Sequence, residues 1–502
     1  MRKTFFRVLC FLTLVAIILS MAMSCAEEKR EYEPIDLGKG KGKDTKEHIT
    51  TRDTADTDWG VQLETGYIYD EIFRNYSFDG DEIIILANGS VCADEIIPAD
   101  SSSFVSQKIY ERNARVAKLL DVKLNDYRVS TSQGVMDRLR SDSMSGEQSY
   151  DLVADTRNNV FSAVRDSLLK NLFSIPEVNT GNEYYSQTFI EGANVGGNLF
   201  AITGDLSTSY ITSTYATYIN LNLAQQKDVS DDIFNKVYMG EWTIEYQLGL
   251  INEVFDDNNG NGAQDDPDTY GFIANTKWCI DPYMSAFEFA ITENKGGDVK
   301  LYVDSQKGII VTQVLNKLFH EISGVKLLSN NMSNEEMAVE FSANTALFMT
   351  NNISMYRNDA IGEIEYGILP MPKLDGSQNE YFSYNDSSVM CMSIPVCTQD
   401  VKRSAVVMEC LFAYSNETVQ ALIDHISMKQ STEHGRNMLG IIIDGISVDT
   451  MLVHTGTVGE LGYFMRNIIA NGSGDFVTQW SVIQRQTESA VDMLVTNLNS
   501  VR

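Results

Sequence analysis

Short apolar runs alternate with stretches whose apolar residues recur every three or four positions, and this alternation is what most limits the fold. Residues 82–87 (Glu-Ile-Ile-Ile-Leu-Ala) read as a buried strand closed by Asn88-Gly89. A helix over about 104–120 then sets Val105, Ile109, Val116 and Leu120 on one face. A second strand at 122–124, a helix over 132–144 and a third strand at 150–154 complete a βαβαβ order. That order predicts a parallel sheet covered by helices, because each crossover helix must pack back onto the sheet. Ligands of such sheets sit beyond the carboxyl ends of the strands. The loops at Asn88-Gly89 and Asp155-Thr156-Arg157 are therefore the first places to look for function, although Asp155 would also serve as a cap for the next helix.

The later chain keeps this character. Residues 199–202 read as a strand entering a turn at Thr203-Gly204-Asp205, and 346–349 as one ending at Thr350-Asn351-Asn352. Pro370 and Pro372 force their predecessors out of the helical region, so 366–372 is extended. Residues 389–394 form a further strand, and the chain reads as mostly helical from about 402. Roughly 440 residues lie beyond the N-terminal segments, more than a single core holds, so two lobes are expected.

The N-terminus reads as an export signal. Arg2, Lys3 and Arg7 precede an apolar run over 8–23, too short for a membrane span and of the right length for a secretory leader. The run ends in Ala22-Met23-Ser24-Cys25, an imperfect lipobox. We expect a signal peptide over 1–24 and a lipid-bearing Cys25, the only membrane attachment; ordinary cleavage nearby would leave Cys25 a free thiol. A polar stretch with a Gly/Lys run at 38–43 follows, too poor in apolar residues to fold by burial, and a tether over 25–79 is expected. The formal charge of −30 argues against nucleic-acid binding, since phosphates would be repelled. Cys92, Cys279, Cys391, Cys397 and Cys410 are widely spaced with no CxxC pair, consistent with buried thiols or with one or two disulfides.

The sharpest local motif is the segment 257–268, DNNGNGAQDDPD. It places Asp257, Asn259 and Asn261 at positions 1, 3 and 5 of a calcium loop, with Gly262 at 6, Ala263 at 7, Asp265 at 9 and Asp268 at 12. Calcium takes six to eight oxygens, which this spacing folds around one centre. The shorter Asp268 stands where a bidentate Glu is usual, which weakens the set. A helix over 243–255 precedes the loop and a strand at 270–273 follows, so one isolated, structural Ca2+ is expected, not a paired sensor.

Around this loop the chain resembles the family 1 extracellular solute-binding proteins, the capture components of carbohydrate ABC importers. The resemblance rests on Gly240-Glu241-Trp242-Thr243, the Asp/Asn/Gly loop and Asp268-Thr269-Tyr270-Gly271-Phe272. Further matching pieces are Tyr110-Glu111-Arg112-Asn113, Tyr150-Asp151-Leu152-Val153, the segment 198–205, Ala346-Leu347-Phe348-Met349 and the segment 366–373. They run in order over about 80–420, with one departure: Glu183-Tyr184-Tyr185 stands where relatives often carry Pro-Trp-Trp. The resemblance implies a two-lobed periplasmic-binding-protein-like α/β fold, each lobe a mostly parallel sheet flanked by helices, joined by hinge crossovers. It divides the chain into 80–202 with 341–390 as one lobe and 203–340 with 391–502 as the other. It implies a monomer outside the cytoplasm that captures a sugar between the lobes and delivers it to an ABC permease.

By analogy with the family's strand-end loops, Asn88, Asp155, Arg157, Asp205 and Asn351 are candidate ligand residues. Tyr210, Trp278, Tyr283 and Trp480 are candidate stacking rings; Tyr381, Tyr384 and Asp386 lie near the second crossover, within reach of the hinge side of the cleft, and Asp386 is counted with the ligand residues. Trp242 is assigned to packing. Against an enzyme stand five scattered histidines with no HExxH pair and the absence of a GxSxG elbow. Plentiful carboxylates leave a glycosidase pair open, and a surface glycan-binding adhesin would share the same tether.

Overall fold

The computed structural model describes residues 61–500 except 64, 65, 69 and 266. The leader over 1–24, Cys25 and the first part of the expected tether lie outside the described residues.

Thirteen strands are present among the described residues. β1 (Val61–Leu63) and β2 (Gly66–Ile68) pair antiparallel, inside the span read as tether. Just beyond them Phe73 is fully buried, so ordered packing starts before residue 80. β3 (Asp81–Asn88), β4 (Val122–Val129) and β5 (Leu152–Thr156) form the expected parallel set, with β3 central. Its crossover helices are Phe104–Leu120 and Ser132–Ser145. The first begins where Ser103 Oγ accepts the Ser106 N–H and ends at Asp121 in the left-handed region.

β6 (Tyr215–Asn220), β7 (Tyr270–Ala274), β10 (Val325–Leu327), β11 (Ala346–Asn352) and β12 (Tyr366–Leu369) make a second sheet in the order β10-β7-β11-β6-β12. β8 (Thr292–Lys295) and β9 (Asp298–Leu301) form a separate hairpin. β13 (Met390–Ser393) returns to the first sheet, antiparallel to β5 with Met390 opposite Thr156. The two sheets with their covering helices are the two lobes, an α/β architecture as expected; the second sheet, however, is mixed rather than mostly parallel, because β6 runs antiparallel to both β11 and β12. β5, β6, β7 and β11 are buried along their whole length, which is why their sequences lack alternation.

Sheet membership differs from the division read in the sequence. β11 and β12 were expected with the first lobe, yet both pair with β6. β11 has seven buried residues in a row and needs a strand on either side, which β6 and β7 supply. Residues 391–502 were expected with the second lobe, yet β13 lies in the first sheet and helices Val401–Ala413 and Asn416–Lys429 pack on helix Phe104–Leu120. Residues 199–202 form no strand; Ile202 makes a single bridge to Met392.

That bridge belongs to the link between the lobes. The outgoing segment from Ile202 to Thr214 runs beside the returning one from Tyr384 to Met392. Ile202 and Met392 exchange both backbone bonds at 3.0 and 2.9 Å, Tyr215 N donates to Tyr384 O at 2.8 Å, and Asp386 N to Ser213 O at 3.1 Å. Gly204 is obligatory on this path, because a Cβ there would lie 2.1 Å from the carbonyl oxygen of Tyr184. Trp242 is buried and donates Nε1–H to Pro370 O at 2.8 Å, the packing role read for it. The five cysteines from Cys92 onward are free thiols. Among the described residues no helix is long and apolar enough to cross a membrane.

Candidate functional site

A cavity of about 720 Å³ opens between the loop after β3 in one lobe and the loop after β11 in the other. Gly89, Ser90 and Val91 line it from the first side; Asn352, Ser354, Tyr356 and Arg357 line it from the second. Ser209 and Ser213 on the outgoing crossover and Ser388 on the returning one form its base, and His425 and Lys429 reach it from helix Asn416–Lys429. A site between strand ends and over the crossings is where closure of one lobe on the other would enclose a ligand.

The polar groups on the first-lobe wall are held. Glu95 accepts the Ser209 N–H at 2.8 Å and the Thr208 hydroxyl at 3.1 Å, tying that wall to the crossover. Burial raises its pKa against these bonds. Asp94 pairs with Arg128 at 2.9 Å, and Asp100 accepts the Ser102 N–H at 2.9 Å. On the second-lobe wall, Tyr356 meets the His425 ring edge-on at 5.6 Å, and the Arg357 guanidinium lies 5.5 Å from the Tyr356 ring.

None of the ten residues named as ligand candidates lines this cavity. Three lie at its margin. Asn88 ends β3 next to Gly89 and donates Nδ2–H to Asp155 Oδ1 at 2.9 Å. Asp155 also accepts the Thr156 N–H at 2.7 Å, while its Oδ2 is buried without a partner. Asp386 accepts from Asn352 at 3.2 Å and from the cavity residue Ser388.

The others are placed differently. Arg157 is buried and grips Asn385 on the returning crossover, through Nη1 to Oδ1 at 2.9 Å and Nη2 to the backbone carbonyl at 3.2 Å. Asn351 is buried against Asn334 and Met337. Tyr210 shares a 2.7 Å hydrogen bond with Ser186, close to Asp205, whose carboxyl burial and the nearby Glu183 charge push up to about 7. Tyr283 packs on Phe287 and Phe319 within the core, and Trp480 on Phe464. Trp278 is 41% exposed, with the Lys277 ammonium 4.2 Å from its ring and Arg466 beyond it. Tyr384 meets Tyr463 at 3.2 Å and Tyr381 donates to Val237 O at 3.1 Å, both between elements rather than into the cavity.

Sequence reasoning missed Glu95, Tyr356, Arg357, His425 and Lys429. The one available signal was positional: Tyr356 and Arg357 sit in the short helix Ile353–Arg357 directly after β11, the next residues along from Asn351. His425 and Lys429 are one turn apart on a helix that carries no motif.

The acidic loop before β7 is compact. Asp257 accepts the N–H groups of Gly260 at 2.7 Å, Asn261 at 3.2 Å and Gly262 at 2.8 Å, with Gly262 at φ +74° making the turn. Asn259 and Asn261 each donate Nδ2–H to Asp265 at 2.8 Å, and buried Asp268 accepts from Asn258 N and Asp265 N. Ala263 N donates to Asn261 Oδ1 at 2.7 Å, which leaves its carbonyl as the backbone oxygen of position 7. Among the described residues no group of three or more His, Cys, Asp or Glu side chains stands ready to hold a metal, so a cation here would lean on amide and backbone oxygens as well as carboxylates.

No family model matches the chain, and no curated protein matches it. Solved structures do. One is the galacto-N-biose/lacto-N-biose I-binding protein of an ABC transporter from Bifidobacterium longum, in complex with lacto-N-biose: 10% identity, 84% of this chain and 98% of that one, TM-score 0.55. A cyclo/maltodextrin-binding protein complexed with maltotetraose is 14% identical over 84% of this chain and 97% of its own, TM-score 0.51. A family 1 extracellular solute-binding protein from Bifidobacterium longum subsp. infantis is 10% identical over 84% and 100%, TM-score 0.50. Each aligns over nearly its whole length and over 84% of this chain. The chain therefore has the two-lobed fold of the family 1 extracellular solute-binding proteins.

Proposed function

We propose that the chain is the extracytoplasmic receptor of an ABC importer and that it captures a sugar or oligosaccharide between its lobes rather than turning it over. The cavity between the strand-end loops carries this reading: it sits at the crossings and is lined by hydroxyls, charged groups and apolar side chains, with the Phe104 ring exposed and the Tyr356 ring buried in its wall. Structural neighbours that bind lacto-N-biose or maltotetraose support it. Its partners are a small carbohydrate and a permease, and it works as a monomer. The leader over 1–24 and an acylated Cys25 would keep it at the membrane.

A thermal-shift screen over mono- and oligosaccharides tests the reading, since a ligand bound only by the folded state at a hundred times its Kd adds about 2.7 kcal/mol. Stabilisation with the sugar recovered unchanged is expected. Turnover would make the chain an enzyme, and binding to insoluble polymer alone an adhesin. Labelling with radioactive palmitate in a bacterial host, lost in Cys25→Ser, checks the anchor.

The acidic loop is proposed to hold one structural Ca2+ through Asp257, Asn259, Asn261, the Ala263 carbonyl, Asp265 and Asp268. A half-turn of the Asn259 and Asn261 amides would present oxygen in place of the nitrogens now facing Asp265. Calcium titration by calorimetry and melts with and without chelator check this; no heat and no change in melting would remove the metal.

A further inference from the structure

The cavity walls are unequal in a way that its volume and position do not explain. Its three carboxylates, Asp94, Glu95 and Asp100, each have a partner on their own side or on the crossover. Its basic groups make no such contact, although the Arg357 charge reaches Glu95 across the cavity and favours its ionised form. Among the described residues Arg357, His425 and Lys429 form no ion pair, and the polar contact of Arg357 is Nε–H to the Tyr356 hydroxyl at 3.3 Å. Arg357 and Lys429 are exposed, free to move onto a ligand. They also face each other: burial first, and then the charges of Lys429 and Arg357, hold the His425 pKa below its usual range.

A chain of formal charge −30, with 69 acidic side chains against 39 basic ones, has carboxylates to spare for neutralising such a cluster. With the His425 pKa held below its ordinary range, the positive charge at the cavity is that of Arg357 and Lys429, which an entering anion would pair. We infer that the captured solute is an acidic saccharide, one whose rings carry carboxylate or sulfate groups, with its anionic oxygens on Arg357 and Lys429. This rests on the receptor reading above and narrows it. A guanidinium fork beside an ammonium suits such oxygens, the first by paired hydrogen bonds and the second as a point charge.

The test is calorimetric titration of the purified chain with matched oligosaccharides at 50 and 300 mM NaCl: neutral maltotetraose and cellotetraose, an oligogalacturonate, a sulfated oligosaccharide, and inorganic sulfate. The expected result is binding of a carboxylated or sulfated sugar at least tenfold tighter than of either neutral one, weakening with salt. The double variant Arg357→Ala/Lys429→Ala should lose tenfold or more on the acidic sugar and less than threefold on any neutral one, with Arg357→Lys recovering part of the loss. Both side chains are exposed, so an unchanged melt will show that the variants fold. Tight binding of a neutral sugar, untouched by the double variant, overturns the acidic solute and leaves the receptor reading standing. Binding of sulfate with no sugar of any kind supports the anion site and overturns the sugar. Binding of none of the probes overturns both.

Discussion

Two clusters of charge, one inside the first lobe and one around the cavity, use similar chemistry to opposite ends. Glu409 is fully buried in helix Val401–Ala413, and every direction around its carboxylate is used. Tyr185 donates its hydroxyl at 2.7 Å, Asn179 its N–H at 2.9 Å and Asn182 its amide at 3.3 Å, and Tyr184 donates to the second oxygen. Arg357 and Lys429 are the reverse: exposed, beside a half-buried His425, and in no ion pair among the described residues. A saturated buried group specifies a fold, whereas an unsaturated group beside a cavity is available to a ligand. The Glu183-Tyr184-Tyr185 departure from the resembled family takes its meaning from this contrast. Both tyrosines serve Glu409 in the core and are not sugar-stacking rings at the cleft.

The contrast breaks first if Glu409 proves dispensable. Glu409→Ala strips acceptors from two buried hydroxyls, an amide and a backbone N–H, and about 3 kcal/mol of stability should go with them. Chemical denaturation measures the loss, and affinity for a ligand should not change. The pH dependence carries a sign as well. Burial outweighs the donors and pushes Glu409 up to about 7 from the ordinary 4.5. The folded state thus keeps a proton that the unfolded chain has released, so this contribution is whole below about pH 4.5 and lost as pH rises through about 7. His454 works the other way: burial lowers it to about 4, and its contribution is present above 6.5 and lost as pH falls through 4. In Glu409→Gln the first effect is gone, and stability should rise more steeply between pH 4.5 and 6.5 than in the parent chain.

Arg157 tests the boundary between the two kinds of group, because strand-end position marked it for the ligand while its contacts mark it for the hinge. Its guanidinium closes onto Asn385 of the returning crossover, with one nitrogen, Nε, buried and unpartnered. Arg157→Ala should cost about 2 kcal/mol, leaving the Asn385 oxygens unmatched, and should shift ligand affinity less than threefold. An unchanged melt with binding abolished would place Arg157 with Arg357 instead, and the contrast between saturated and free groups would fail at this residue.

How much of this was legible depended on how local the signal was. The first sheet could be read because a parallel strand buried on both faces is an unbroken apolar run, as in Ile83–Ala87, and its helices carry a clean three-to-four spacing. Which sheet a run joins is not in the run: residues 346–349 are equally apolar beside β5 or β6, and only tertiary pairing sends them to β6 and β7. Strand ends pointed to the right edge of the molecule, and Asn88, Asp155 and Asp386 lie at the cavity's margin. Rings were harder, since Tyr283 and Trp480 fill the core with the same side chains that would stack on a sugar. The basic wall was hidden because Arg357 follows a strand and His425 and Lys429 belong to a distant helix. No spacing in the chain joins them.

The smallest effect probes that wall directly, without any ligand. Lys429, one turn along the same helix, and Arg357, from the segment after β11, both act on His425, so removing one positive charge relieves the imidazolium, and Lys429→Met should raise the His425 pKa. Proton NMR titration reads this once the His425 signal is assigned by its loss in His425→Asn. The rise will be modest, because Lys429 is exposed and water screens it, and it should shrink further between 50 and 300 mM NaCl. Burial, the larger cause, stays in place in Lys429→Met, so the pKa should not return fully to the ordinary value. An unmoved pKa at low salt would mean that the charges do not converge on the cavity. A rise to the ordinary value would mean that His425 is wetter than its packing on Tyr356 implies. Either result would weaken the distinction between the two clusters at its electrostatic root, whatever the solute proves to be.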